Sequence, residues 1–239
     1  MATKNLIVDN KNFDISYEIV NPTAKKDIVF LHGWGSNKDI MKNVFSSYLK
    51  DFRHIYIDLP GFGKSSNNYV LTTQDYAKII DEFLKLLDSS KDIIAGHSYG
   101  GKVATLLNPQ NLILLSSAGI LEEKPFDVKA KIFFAKLFNA LGLRGITKRF
   151  RSKDVNTMSE NMYATFKNVV NEDFSSYFSN FSNNALVFWG EKDTATSLES
   201  GKKMASLLKK STFTSYDGDH YFFAHNAKNI SERIENGIL

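Results

Sequence analysis

Asp92-Ile93-Ile94-Ala95-Gly96-His97-Ser98-Tyr99-Gly100-Gly101-Lys102 is the stretch whose reading decides the fold. Ile93 to Ala95 is apolar and reads as the end of a buried strand. Gly96 to Gly100 is a G-x-S-x-G, and Val103, Leu106 and Leu107 follow at helical spacing. Strand, Gly-flanked turn and helix is the context in which this pentapeptide forms a nucleophile elbow. A serine at such a turn sits in strained backbone, and bulky neighbours would clash with the adjoining strand and helix. Ser98 is therefore the candidate nucleophile. The competing reading is a Gly-rich loop with an ordinary serine, and the pentapeptide alone does not separate the two.

Working outward, strands alternate with helices. Leu6–Val8 and Phe13–Val20 read as two strands, with a hairpin turn at Asn10-Lys11-Asn12. Asp27 to His32 is a continuous apolar run, the pattern of a central strand buried on both faces. Asp39–Leu49 reads as a helix, His54–Ile57 as a short strand and Thr73–Leu87 as an amphipathic helix with Tyr76, Ile79, Ile80, Phe83, Leu84 and Leu87 on one face. Leu112–Leu115, Leu186–Trp189 and Thr212–Tyr216 read as further strands, and Leu198–Lys209 and Ala224–Ile234 as helices. The expected fold is α/β, a mostly parallel twisted sheet flanked by helices, with the first two strands as an antiparallel edge.

Between about Ile120 and Asn184 the pattern changes to helical, aromatic and basic, with no buried strand. The expectation is a core built from 1–119 and 185–239 and a helical cap over 120–184. The 239 residues are 43% hydrophobic, enough for one sizeable domain and far from a disordered composition. No apolar run is long enough for a membrane span. The first residues lack the apolar core of a signal peptide, so the cytoplasm is the expected compartment. There is no cysteine, hence no disulfide framework or thiolate metal site. A net charge of +4 is too weak to argue for nucleic acid.

A serine nucleophile needs a base and a group that orients the base. Of the five histidines, His220 follows the last strand in the loop Tyr216-Asp217-Gly218-Asp219-His220, where α/β folds place their chemistry. His97 adjoins Ser98, too close in sequence for its side chain to reach it. The acid should also follow a strand. Asp193, after Leu186–Trp189, is the first choice and Glu191 the fallback; Asp219 adjoins His220, and adjacent side chains diverge. The oxyanion needs backbone donors. Tyr99 N–H at the start of the elbow helix is one, and Trp34 N–H in His32-Gly33-Trp34-Gly35 is the other. Trp34, Tyr99, Tyr221 and Phe222 are expected to line an apolar substrate pocket with some of the cap aromatics.

These pieces occur in one order: His32-Gly33-Trp34-Gly35, Asp58-Leu59-Pro60-Gly61-Phe62-Gly63-Lys64-Ser65, the elbow, Trp189-Gly190-Glu191-Lys192-Asp193 and Gly218-Asp219-His220. In that order they resemble the α/β-hydrolase fold superfamily over nearly the whole chain. The resemblance implies a serine hydrolase that needs no cofactor, with a helical cap inserted after the strand that follows the elbow; no metal is expected, since Asp217, Asp219 and His220 are the nearest approach to a cluster of His and carboxylates. It implies a carboxylesterase-type enzyme acting on a small-molecule ester or thioester. Carbon–carbon bond hydrolysis of ring-cleavage products is an alternative, as is a non-enzymatic binding protein on the same fold. The His-Gly-Trp-Gly and Asp-Leu-Pro-Gly-Phe-Gly pieces also resemble pimeloyl-carrier-protein methyl ester esterases, which makes an acidic carrier protein a candidate partner for the basic cap. The ordinary reading of that charge run is a solvated helical face. A phosphate-loop reading of Gly61 to Ser65 fails, because the first glycine of that motif would fall at Asp58.

Overall fold

The structure, a computed structural model, describes residues 1–122 and 158–238. One eight-stranded sheet runs through it, in the order β1-β2-β4-β3-β5-β6-β7-β8. Strands β1 (Ala2–Val8) and β2 (Lys11–Val20) form an antiparallel hairpin, and β2 pairs antiparallel with β4 (Phe52–Ile57). From β4 onward every pairing is parallel, through β3 (Lys26–Leu31), β5 (Ile93–His97), β6 (Asn111–Leu115), β7 (Asn184–Gly190) and β8 (Ser211–Tyr216). The α/β class and the antiparallel edge read from the sequence are those of the structure.

Two details differ. The hairpin turns at Asp9-Asn10, both at positive φ, and Val8 pairs with Lys11. That two-residue turn has the twist that suits a hairpin, and it moves the turn one residue ahead of the expected place. Strand β1 also starts four residues before its apolar part. Backbone pairing from Ala2 to Tyr17 carries it, and only Leu6 and Val8 point inward.

Period-two alternation explains how the central strands hold two cores. In β3, Ile28 and Phe30 face one side and Val29 and Leu31 the other, all fully buried. The first side is covered by α1 (Lys38–Phe45) and α7 (Phe223–Ile238), through Met41, Phe45, Phe223 and Ile230. The second is covered by α2 (Thr73–Lys85), α3 (Tyr99–Leu106) and α6 (Leu198–Leu207), through Phe83, Val103 and Met204. Helix α2 starts at a full capping box between Thr72 and Asp75. Helix α3 is short, ending before Asn108 at φ 49° and Pro109, as the brief elbow-to-strand spacing implies.

Helices α4 (Glu160–Val169) and α5 (Ser175–Asn180) enter between β6 and β7, two neighbouring strands. The aromatic and basic positions expected to form the rest of the cap, from 123 to 157, lie outside the described residues. No described helix is long and apolar enough to cross a membrane. Strand order reverses at β3, between β4 and β5. The crevice beyond the carboxyl ends of strands at such a reversal is where open α/β sheets bind ligands.

Candidate active site

Ser98 sits between β5 and α3 at φ 51° and ψ −117°, a conformation that L residues avoid. The turn is held by Ser98 N–H on Leu115 O at 3.1 Å and by the N–H groups of Gly101 and Ala118 on Ser98 O at 3.0 Å each. It is also very tight. A Cβ at Gly96 would lie 2.4 Å from Gly100 O, and one at Gly100 would lie 2.5 Å from Leu31 O. Only hydrogen fits at either place, so the elbow is pressed directly against the end of β3. Ser98 is half-buried, and its hydroxyl has no hydrogen-bond partner among the described residues.

Strands β7 and β8 deliver the acid and the histidine side by side. Gly190 ends β7, and a Cβ there would lie 2.2 Å from Asp219 O, so the two loops meet backbone against backbone. Glu191 N–H on Tyr216 O and Lys192 N–H on Gly218 O, both at 2.9 Å, lock them together. His220 Nδ1 then donates to Asp193 Oδ2 at 2.7 Å. Asp193 is buried and every oxygen is engaged: Oδ1 accepts from Ala195 N–H at 2.8 Å and Thr196 N–H at 3.0 Å, and Oδ2 from the Thr196 hydroxyl at 2.9 Å. Burial works against its charge, but the hydrogen bonds from His220 and Thr196 outweigh it and hold the carboxyl at about 2. In a neutral ring whose Nδ1 donates, the lone pair lies on Nε2. Glu191 is exposed and accepts from the Ser215 hydroxyl instead, and Asp219 accepts from Tyr221 N–H.

His97 has a part that the sequence did not show. It is fully buried, its Nε2 donates to His220 O at 3.0 Å, and its ring lies 4.6 Å from the His220 ring. Burial, and then the proximity of His220, lower its pKa to about 3, so it is neutral in the working range. The contact spans 123 residues of sequence, and no local pattern announces it.

The loop after β3 passes over Ser98: a Cβ at Gly33 would lie 3.1 Å from Ser98 Cβ. Tyr99 is the first residue of α3, where a helix leaves its N–H groups without intrahelical partners. The far end of the Gly33 loop is anchored by a buried ion pair that sequence reading also missed. Asp58 accepts from Lys38 Nζ at 2.7 Å, Lys38 N–H at 2.7 Å and Lys64 N–H at 3.0 Å, and Lys38 Nζ reaches Ser16 Oγ at 3.2 Å. Both side chains are about 1% exposed. Burial opposes the Asp58 charge, and the Lys38 and Lys64 contacts overcome it, holding the carboxyl below the usual aspartate range. The carboxylate that spoils a phosphate loop is thus the brace of two loops around the site.

Trp34 meets Phe62, Tyr99 and Phe166 at ring separations of 4.8, 5.4 and 5.4 Å. Beside it opens a cavity of about 640 Å³ lined by Trp34, Gly61, Phe62, Met158 and Met162 among others. Tyr221 is exposed next to His220, with their rings 5.6 Å apart. Phe222 is placed elsewhere and does not line this cavity. It is 1% exposed and stacks on Tyr216 in the core layer under α7, because the turn closed by Phe222 N–H on Asp219 O directs it inward. Among the described residues no three His or carboxylate groups gather as a metal site.

Comparison with known proteins agrees with this architecture. The sequence model described as the alpha/beta hydrolase family matches residues 28–230. The chain is 25% identical to the uncharacterized hydrolase YugF of Bacillus subtilis (strain 168), over 97% of this chain and 96% of that one. It is 38% identical to the pimeloyl-[acyl-carrier protein] methyl ester esterase of Vibrio campbellii, over 42% of this chain and 41% of the relative. Among solved structures, the esterase EaEST from Exiguobacterium antarcticum superposes with a TM-score of 0.77 at 21% identity, covering 100% of this chain and 99% of that one. The enol-lactonase from Burkholderia xenovorans LB400 gives 0.76 at 17%, with 98% of each chain covered.

Proposed function

The chain belongs to the alpha/beta hydrolase family, and from that premise we propose that it is a serine esterase working through an acyl-enzyme. The observation that carries this reading is the Asp193–His220 hydrogen bond of 2.7 Å, beside a serine held at positive φ. In the proposed reaction Ser98 Oγ attacks the ester carbonyl while His220 Nε2 takes its proton. Asp193 keeps the proton of His220 on Nδ1 and stabilises the imidazolium that forms. The N–H groups of Trp34 and Tyr99 receive the oxyanion. His220 then protonates the departing alcohol, and in the second half it activates water to release the acid. A tilted ring contact and the main-chain bond from His97 support the base, and His97 itself stays neutral. The segment 120–184 is, in this proposal, the cap over the site.

Ser98→Ala is expected to abolish turnover of p-nitrophenyl esters while the thermal unfolding curve stays that of the wild type. A fluorophosphonate should modify Ser98 in the folded protein. Turnover by Ser98→Ala removes the nucleophile assignment. The absence of both turnover and adduct in the wild type favours a binding protein instead.

A second reading, an esterase for a carrier-protein-linked acyl methyl ester, is favoured by one observation. Part of the chain is 33–38% identical to several pimeloyl-[acyl-carrier protein] methyl ester esterases. The aligned stretches span only 37–42% of this chain, so the shared part fits the general chemistry as well as the substrate. Comparing kcat/KM on a carrier-bound acyl methyl ester with that on the free methyl ester separates the two readings.

A further inference from the structure

Strand β8 ends the sheet, with β7 on one side and no strand on the other. Its pairing with β7 runs from Ser211 to Tyr216 without a bulge. Lys210 O and Tyr216 O face β7, where they accept from Ala185 N–H and Glu191 N–H at 2.9 Å each. Alternation along a strand gives Thr212 and Thr214 the same direction and turns the N–H and C=O groups of Ser211, Phe213 and Ser215 outward. No other described element bonds to those outward groups. An open row of this kind is a template for another strand, and proteins usually blunt it with lysine, proline or a bulge. The opposite edge, β1, carries Lys4; Ser211 to Tyr216 carries none of the three.

The sequence of this edge reads the same in both directions about Phe213: Ser211-Thr212-Phe213-Thr214-Ser215. Turned end for end against a second copy, it meets itself, with Phe213 opposite Phe213, Thr212 opposite Thr214 and Ser211 opposite Ser215. That register suits the free main-chain groups. Residues facing outward exchange N–H···O bonds in an antiparallel ladder, which are here the Phe213 pair and the two Ser211/Ser215 pairs. The Thr212/Thr214 pairs between them are the closer, non-bonded kind, where threonine opposite threonine is favourable. Two steps past the palindrome the same register sets Lys209 of each copy against Asp217 of the other. Asp217 is exposed and holds Lys192 by Oδ1 alone, so Oδ2 is open to a second ammonium. The α7 side of the edge is open as well. A groove of about 430 Å³ runs over Leu186, Phe188, Thr212 and Thr214, rimmed by Glu232 and Arg233.

We propose that β8 is a self-pairing edge, through which two copies of the chain join antiparallel, about a two-fold axis at Phe213, into one continuous sheet. The same patch serves on both copies, so the contact closes on itself and yields a dimer rather than a fibre. Strand β8 leads into the loop that carries His220, so the pairing braces the strand that delivers this histidine in each copy.

Sedimentation equilibrium across the micromolar range tests the proposal. A species of twice the 27.0 kDa chain mass is expected at high concentration, returning to the single chain on dilution. Thr212→Glu/Thr214→Glu sets like charges opposite each other at two places and should raise the dissociation constant roughly tenfold or more. Thr212→Glu/Thr214→Lys sets opposite charges there and should restore the dimer, which separates a broken contact from a damaged fold. A single chain mass at every concentration overturns the proposal. So does a dimer that the first variant leaves as tight as wild type, and so does loss of the dimer in both variants. The register has its own readout, because the chain has no cysteine. Under oxidation a mixture of Thr212→Cys and Thr214→Cys chains should cross-link, while Thr212→Cys alone, with its two sulfurs a diagonal step apart, should not. No cross-link in the mixture, or an equal one in the single variant, overturns the pairing about Phe213.

Discussion

Replacing Asp193 by asparagine swaps one oxygen for an NH₂ group, and the structure dictates which one. Oδ1 faces two fixed backbone donors, the N–H groups of Ala195 and Thr196 at 2.8 and 3.0 Å. An amide nitrogen there would set donor against donor twice, so the asparagine keeps its oxygen on that side. Its NH₂ then occupies the place of Oδ2, facing His220 Nδ1 and the Thr196 hydroxyl. Thr196 adapts, because Ser116 O already lies 3.2 Å from its hydroxyl as an alternative acceptor. His220 has no such freedom. Its Nδ1 must accept from the amide, its proton moves to Nε2, and the lone pair that should deprotonate Ser98 is gone. A wrong tautomer of this kind costs ~10⁴-fold in rate in another serine hydrolase, or about 5 kcal/mol of transition-state stabilisation. We expect kcat/KM on p-nitrophenyl acetate to fall by that order, with fluorophosphonate labelling of Ser98 slowing in parallel. Glu191→Gln, whose carboxylate is exposed on Ser215, should leave both rates near wild type. An Asp193→Asn enzyme within about tenfold of wild type, or an equal loss in Glu191→Gln, would refute the tautomer argument.

Lys38→Met leaves the buried Asp58 carboxylate with two backbone N–H groups and no countercharge, and stranding one partner of such a pair costs about 3–5 kcal/mol. The two remaining bonds put the expected loss near the lower end, read as a drop in the urea midpoint; a loss under about 1 kcal/mol means that Lys38 does not hold Asp58 as an ion. Acid should unfold the protein through these same carboxylates. Asp193 has a folded value of about 2 against an ordinary 3.8, and Asp58 is shifted the same way. A lowered folded value gives stability that is complete above the unfolded pKa and is lost as pH falls toward the folded one. Urea midpoints should therefore be level from pH 7 to 5 and fall steadily from about pH 4 toward 2, with a shallower fall in Asp193→Asn; midpoints still level at pH 2.5 contradict the shifts.

Much of the fold was legible because buried parallel strands need continuous apolar runs, and Ile28–Leu31, Ile93–Ala95, Leu112–Leu115 and Val187–Trp189 supply them. Their order across the sheet was not, since a run that is apolar on both faces fits any central position. The candidate acid and base were legible for a related reason: each stands just past a strand, and parallel strands put such loops at one end of the sheet. Phe222 misled because adjacency to His220 says nothing about direction, and the turn at Asp219 sends it into the core. His97 and the Lys38–Asp58 pair were illegible for a deeper reason. Each is a polar side chain that burial should exclude, and only its distant partner, His220 O or the opposing charge, makes the burial tolerable.

These buried polar groups divide the labour between shape and choice. The elbow meets β3 and the acid loop meets the histidine loop through Gly100 and Gly190, where main chain lies on main chain. Asp58 clamps the start of α1 and the Lys64 turn with one carboxylate. A geometry fixed by backbone contacts and buried ions changes little when surface side chains change, so it constrains how the chain reacts and hardly what it reacts with. The cavity is built the other way. Its described wall includes Met162 on α4 and Met158 just before that helix, and α4 is tied to the core by hydrogen bonds from Asn161 and Thr165. Substitutions at that wall leave Asn161, Thr165 and Asn168 to hold the helix. Met162 on α4 and Asp193 in the loop after β7 share no hydrogen-bond partner, so the effects of Met162→Phe and Asp193→Asn on ester kcat/KM should combine additively in the double variant.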